Sequence, residues 1–153
     1  MSIFDPSVLL NTEILGANST EIMPCPVGDY EAILAKSTLA GWKSNDGTKS
    51  GGKIVNEWHI QDPGVLQELG RDTVNVRQDI MLDTTPTGGL EMGKGMNVGL
   101  GRLREALGLN DATKPFRFSD LEGRMARVRV SHRPFTDGTD RIAAEIREVS
   151  RLG

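Results

Sequence analysis

The chain has 153 residues and a mass of 16.6 kDa, one ordinary domain with a modest extension, and long enough to bury an apolar core without disulfide or metal staples. Hydrophobic residues make up 37% and charged residues 25%, which excludes wholesale disorder, and no stretch approaches the roughly 18 apolar residues of a membrane-spanning helix. Net charge is −3, unevenly spread: residues 1–70 hold four basic and nine acidic side chains, residues 71–153 fourteen basic and twelve acidic. A mildly acidic total argues against coating by duplex nucleic acid and leaves room for a local basic groove.

Met1–Leu10 lacks a basic n-region, and its apolar run Val8-Leu9-Leu10 is too short for a signal peptide. The lone Cys25 excludes an internal disulfide and fits a reducing compartment, so the cytoplasm is the expected location. Met1–Met23 shows no sustained period and runs into Pro24-Cys25-Pro26, which reads as an extended arm (residues 1–23) before a domain of residues 24–153. Tyr30, Ala32 and Leu34 then alternate with Glu31, Ile33 and Ala35 as a first strand. Trp42–Gly52 reads as a flexible polar loop, and Lys53–Ile60 as a second strand rich in β-branched and aromatic residues.

Asp62-Pro63-Gly64 breaks that strand, and Val65–Gly70 makes at most a short helical excursion. The third strand is the clearest. Val74, Val76, Ile80 and Leu82 fall on one face with Gln78 as the exception, and Thr73, Asn75, Arg77, Asp79 and Asp83 fall on the other. After a glycine-rich turn, Met96, Leu100, Leu103 and Leu107 form one helical stripe, with Asn97 able to cap its start and Gly108 its end. Phe116 and Phe118 fall in an irregular stretch. Arg124–Arg133 is a fourth strand with Ala126, Val128 and Val130 inward and Arg127, Arg129, Ser131 and Arg133 outward. A turn containing Asp137-Gly138 leads to a fifth strand, Arg141–Val149.

The expected fold is therefore mostly β with one main helix. Three strands, a helix and two strands is the order of a five-stranded Greek-key barrel of the oligonucleotide-binding (OB) type, with the helix between strands 3 and 4. A split β-sandwich with one helix fits the same order.

Catalytic patterns are incomplete. Gly88–Gly95 satisfies the Gly-x-x-x-x-Gly-Lys part of a phosphate-binding loop, but Gly95 stands where a Ser or Thr must ligate magnesium, so it reads as a glycine-rich turn. Asp79 and Asp83 share a strand face without a third ligand, His59 and His132 sit on separate strands, and Cys25 has no adjacent base. No enzyme activity, cofactor or metal is expected.

The basic residues are better organised. Arg127, Arg129 and Arg133 make an outward stripe that can track a phosphate backbone, and Lys43, Lys49 and Lys53 surround Trp42. Phe135 stands beside Arg133 and Arg141, and Arg77 points outward from strand 3. Rings beside cations are what a single strand of nucleic acid needs, since bases stack and phosphates meet the charge. The competing readings are that the arginines only blunt a sheet edge and that Trp42 folds back over the core. Trp58 and Tyr30 read as core.

Phe4-Asp5-Pro6-Ser7, Met23-Pro24-x-Pro-Val-Gly28-Asp-Tyr30-Glu-Ala32 and Leu100-Gly-Arg-Leu103-Arg-Glu-Ala106-Leu107-Gly108 together resemble a family of bacteriophage proteins, single-stranded DNA-binding-like and largely of unassigned function. The resemblance spans most of the chain through glycines, prolines and core positions. It implies an OB fold and a role in phage DNA replication or recombination, with single-stranded DNA as partner and self-association or phage replication and recombination proteins as further partners. The end, Arg147–Gly153, lacks the acidic tail by which many single-stranded DNA-binding proteins recruit partners. The alternative is a phage structural or assembly protein whose arm reaches a neighbouring subunit.

Overall fold

Alternation in the sequence becomes one five-stranded, wholly antiparallel sheet in the computed structural model, which describes residues 4–19, 23–135, 138 and 141–152. The strands are β1 (Gly28–Lys43), β2 (Ser50–Ile60), β3 (Asn75–Met81), β4 (Met125–Pro134) and β5 (Ile142–Ser150), in the spatial order β3-β2-β1-β4-β5. Among the described residues three α-helices and one 3₁₀ turn (Phe118–Asp120) accompany them: α1 (Pro6–Leu10), α2 (Pro63–Leu69) and α3 (Val98–Ala106). The edge strands β3 and β5 approach each other without a hydrogen-bonded ladder. Val74 and Asn75 line one hollow with Ile142–Ala144, and Gln78 and Ile80 line another with Val149 and Ser150. The two edges therefore run in the same direction along a seam, and α3 packs across it on both strands.

One sheet face is dry. Ala32 and Leu34 of β1, Ile54, Trp58 and Ile60 of β2, Val76 and Ile80 of β3 and Ala126, Val128 and Val130 of β4 are all buried there with Leu100 and Leu103 of α3. The exception on β3 has its cause. Gln78 Oε1 accepts from Trp58 Nε1 at 2.9 Å and from Asn56 Nδ2 at 3.2 Å, while Ser37 Oγ donates to Asn56 Oδ1 at 2.8 Å. A buried indole N–H needs an acceptor, and without one it would cost about 1–3 kcal/mol.

Helix ends follow capping chemistry. Asp62 accepts from the backbone N–H groups of Gly64 and Val65 at the start of α2, and Gly70 ends it in the left-handed region at φ 64°. At the end of α3 the Gly108 N–H reaches the Glu105 carbonyl at 3.2 Å and the Leu109 N–H the Arg104 carbonyl at 2.7 Å, a Schellman pair with Gly108 at φ 72°.

Four expectations need correction. The arm is not wholly extended, because Asp5 caps a one-turn helix, α1, through the Ser7 N–H at 3.0 Å, with Pro6 pre-set for its first position. Trp42–Gly52 is not a flexible loop: β1 runs through Lys43 and β2 begins at Ser50, leaving the turn of residues 44–49. Asn97 does not cap α3. It sits at φ 51°, and its side chain bonds the Asp83 N–H and carbonyl and the Glu91 carbonyl, tying the loop shut. Met96, placed in the helix stripe, lies before α3 and is exposed.

Candidate nucleic-acid interface

The β1–β2 hairpin outruns the body of the sheet. Leu39 has the parity of a core residue, opposite Ile54, yet is 55% exposed, and Gly41 and Lys43 on the same side are exposed as well. Both faces of the hairpin's end are therefore wet. Residues 36–53 contain four lysines and one acid, Asp46, within the more acidic half of the chain.

The tip is ordered by that one acid. Asp46 Oδ1 accepts from Ser44 Oγ at 2.6 Å, Thr48 Oγ1 at 2.7 Å and the Thr48 N–H at 3.0 Å, and Gly47 supplies the positive φ of 74° that the turn demands. The Ser44 and Thr48 hydrogen bonds to the ionised form pull the Asp46 carboxyl down to about 2. Lys43 and Lys49 flank this turn, both exposed and without a carboxylate partner among the described residues.

Trp42 lies directly opposite Gly51, and its indole rests on that glycine: a Cβ at position 51 would come within 2.8 Å of Trp42 Nε1 and 3.1 Å of the ring carbons. Glycine is required there so that the ring can lie against the strand. The seat leaves Trp42 half-buried, with an indole N–H that is covered and donates to no acceptor. A shallow hollow beside it is lined by Gly41, Lys43 and Ser50.

The arginines of β4 stand where alternation placed them, outward at Arg127, Arg129 and Arg133, but two of them are not free charges. Register puts Asp29 of β1 and Glu148 of β5 opposite Arg129, which bonds them at 2.9 and 3.3 Å. The Arg129 hydrogen bond holds the Asp29 carboxyl below its ordinary range. Arg133 pairs with Glu145 at 3.1 Å. Arg127 alone of the three has no ion pair among the described residues, although Glu31 faces it across β1. An unbroken stripe of available cations is thus corrected to one arginine and two neutralised neighbours.

On the far side of the outer face, Lys53 and Arg77 converge on Asp79. Arg77 reaches it through Nε at 2.8 Å and Nη2 at 3.1 Å, and Lys53 through Nζ at 2.9 Å. Those bonds, Arg77's first, lower the Asp79 carboxyl, and the trio keeps one net positive charge. Phe135 follows β4 with the Arg141 guanidinium 4.6 Å from its ring centroid, so one ring face is already occupied. The nine candidate residues consequently fall into three places: Trp42, Lys43 and Lys49 at the hairpin end, Lys53 and Arg77 around Asp79, and Arg127, Arg129, Arg133 and Phe135 on or after β4.

Asp46, which shapes the tip, and Gly51, which seats the indole, were missed. Asp46-Gly47 is a turn signal, whereas a strand glycine beneath a ring shows only once the register is known. Elsewhere, Cys25 is buried with its thiol pushed up to about 11, mainly by burial, and its carbonyl lies 2.7 Å from His132 Nε2. Lys94 of the glycine-rich turn is exposed, and Asn97 separates that turn from α3. Among the described residues no three His, Cys, Asp or Glu side chains converge as a metal site, and no helix is long and apolar enough to cross a membrane. In comparisons with known proteins, no family model matches the chain and no curated protein is significantly similar to it.

Proposed function

We propose that the protein is a non-catalytic, sequence-tolerant single-stranded DNA-binding protein that works in bacteriophage replication or recombination. The observation that carries this reading is the hairpin end, where a tryptophan seated on a strand glycine stands beside two unpaired lysines on a turn fixed by Asp46. A ring held in place loses little freedom when a base stacks on it, and the lysines supply sequence-independent phosphate contacts. The indole N–H, covered and unpaired, is a donor that a ligand-induced shift of the ring would release to an acceptor. Trp42, Lys43 and Lys49 form the centre of the proposed site and Arg127 extends it; Lys53, Arg77, Arg129, Arg133 and Phe135 are secondary, because their charges or ring faces are already engaged.

The finer fold reading belongs with this proposal. The order β3-β2-β1-β4-β5, same-direction edges brought close, and a helix between β3 and β4 in the chain are consistent with an OB-type Greek-key barrel left open at its β3–β5 seam. In such barrels the loop joining strands 1 and 2 flanks the binding face, which agrees with the placement of Trp42. The phage setting rests on the resemblance of Phe4-Asp5-Pro6 and the Gly28–Ala32 segment. Titration of intrinsic tryptophan fluorescence with an unstructured oligonucleotide tests the reading. Quenching should accompany tight binding that weakens linearly in log salt, and no binding at low salt would refute it.

A second reading, a phage structural or assembly protein, is favoured by one observation. The apolar side chains of the arm are exposed and available to a neighbouring subunit.

A further inference from the structure

We propose that the N-terminal arm of one copy docks in the cleft between β3, α3 and β5 of a second copy, linking chains head to tail. The arm is a ligand in search of a surface. Phe4, Val8, Leu9, Leu10, Ile14 and Leu15 are each at least 60% exposed, and α1 buries nothing. A five-residue helix is marginal on its own, so the turn that its cap and proline organise would gain stability by packing its apolar side chains against a partner. The arm is also acidic: residues 1–23 contain three Asp or Glu and no Lys or Arg.

The cleft has the complementary character. It encloses about 780 Å³ where the edge strands part beneath α3, with Ile80, Leu103, Ala106 and Val149 among its lining. Two of its acids are already neutralised, Glu105 by Arg151 at 3.0 Å and Glu148 by Arg129 at 3.3 Å. Arg102 and Arg147 remain, exposed at its rim and without carboxylate partners among the described residues. An apolar floor under two unpaired guanidinium groups fits an acidic, leucine-rich turn.

The root of the arm sets the direction of the contact. Arg71 Nη2 holds the Met23 carbonyl at 2.5 Å, at the end of the seam lined by Asn75 and Ala143, whereas the cleft opens beside Ile80 and Val149. Five residues of strand separate the two places, about 16 Å at about 3.3 Å per residue. The arm lies exposed rather than seated on its own body. Docking of one copy's arm in another copy's cleft therefore joins unlike surfaces, a heterologous contact that builds a ring if its rotation closes and an open chain if it does not.

Sedimentation velocity of the full chain at low salt without DNA, over a concentration series, reads this contact separately from nucleic-acid binding. The wild-type mass should rise with concentration. An arm variant, Leu9→Asp with Leu10→Asp, and a cleft variant, Arg102→Glu with Arg147→Glu, should each associate at least about tenfold more weakly. All four side chains are exposed, so both variants should keep the wild-type circular dichroism spectrum. The two variants mixed share one intact arm and one intact cleft, and should form 1:1 pairs and nothing larger. A wild-type chain that stays monomeric, a cleft variant that assembles normally, or a mixture that fails to pair would each overturn the proposal.

Discussion

The outer face of β4 and the end of the β1–β2 hairpin both carry cations, yet on β4 two of the three arginines are ion-paired, whereas Lys43 and Lys49 at the hairpin end have no carboxylate partner among the described residues. Around β4, the strand register sets three arginines among four carboxylates, Asp29, Glu31, Glu145 and Glu148. Lys53 still meets Asp79 of β3, but beyond it the hairpin end pairs with no further strand among the described residues, and Lys43 and Lys49 stand there with Asp46 as the one acid of the turn. The difference teaches that counting charges along a strand says little about the potential above it. Cross-strand partners decide, and they come from 100 residues away in the case of Arg129 and Asp29. A protrusion from the acidic half of a chain can be its most accessible positive surface.

Breaking the hairpin end should have the largest effect. Trp42→Ala removes the proposed stacking surface and should weaken oligonucleotide binding by about 5- to 150-fold, the equivalent of about 1–3 kcal/mol per stacked base, measured by anisotropy with a labelled oligonucleotide. Gly51→Val sharpens the point without deleting the ring. Its Cβ would displace an indole that now lies 2.8 Å from that position, so binding should fall while tryptophan content is unchanged. Binding that survives both changes would move the site elsewhere. Next in size, Lys43→Glu with Lys49→Glu should lower the slope of log affinity against log salt by about 1.4, from two phosphate contacts at about 0.7 each. Arg129→Gln should change that slope much less, because its charge is already committed to Asp29 and Glu148. Equal slopes for the two variants would erase the distinction between the regions.

Faces were legible in the sequence where one side of a strand is dry. The β3 and β4 alternations are recovered residue by residue, including outward Arg127, Arg129 and Arg133, because period-2 burial is a local property. Gln78 broke the pattern legibly, but its reason lay across the sheet in Trp58 and Asn56. What the sequence withheld is pairing. That Arg129 would meet Asp29, that Lys53 and Arg77 would share Asp79, and that Trp42 would lie over Gly51 all follow from register, which local pattern does not carry. The polar run from Ser44 to Gly52 misled for a related reason. Glycines that elsewhere signal freedom sit here inside β2, one under a ring and one opposite Gly41. Asn97 misled through chemistry: an amide suited to capping a helix found better partners in the Asp83 and Glu91 backbone.

The smallest expected effect concerns the order of the hairpin tip and its dependence on pH. Asp46 is held at about 2 by bonds from Ser44 and Thr48, against an ordinary value of 3.8. A carboxyl whose value is lowered on folding contributes order above its unfolded value and loses it as pH falls through the folded one. The tip should therefore be intact at neutral pH and loosen between about pH 4 and pH 2. Asp29 and Asp79 are lowered as well, so the sheet's ion pairs weaken over an overlapping range, and the tip must be read by its own probe. The Thr48 amide serves, since it donates to Asp46 Oδ1 at 3.0 Å. Its proton resonance should move upfield over that range in the wild type. In Asp46→Ala it should already sit upfield at pH 7 and stay there, with oligonucleotide affinity only modestly reduced because Trp42 and both lysines remain. An amide shift that ignores acid in the wild type would mean that the turn is held by Gly47 and the strand ladder alone, and that the carboxylate contributes nothing to presenting Lys43 and Lys49.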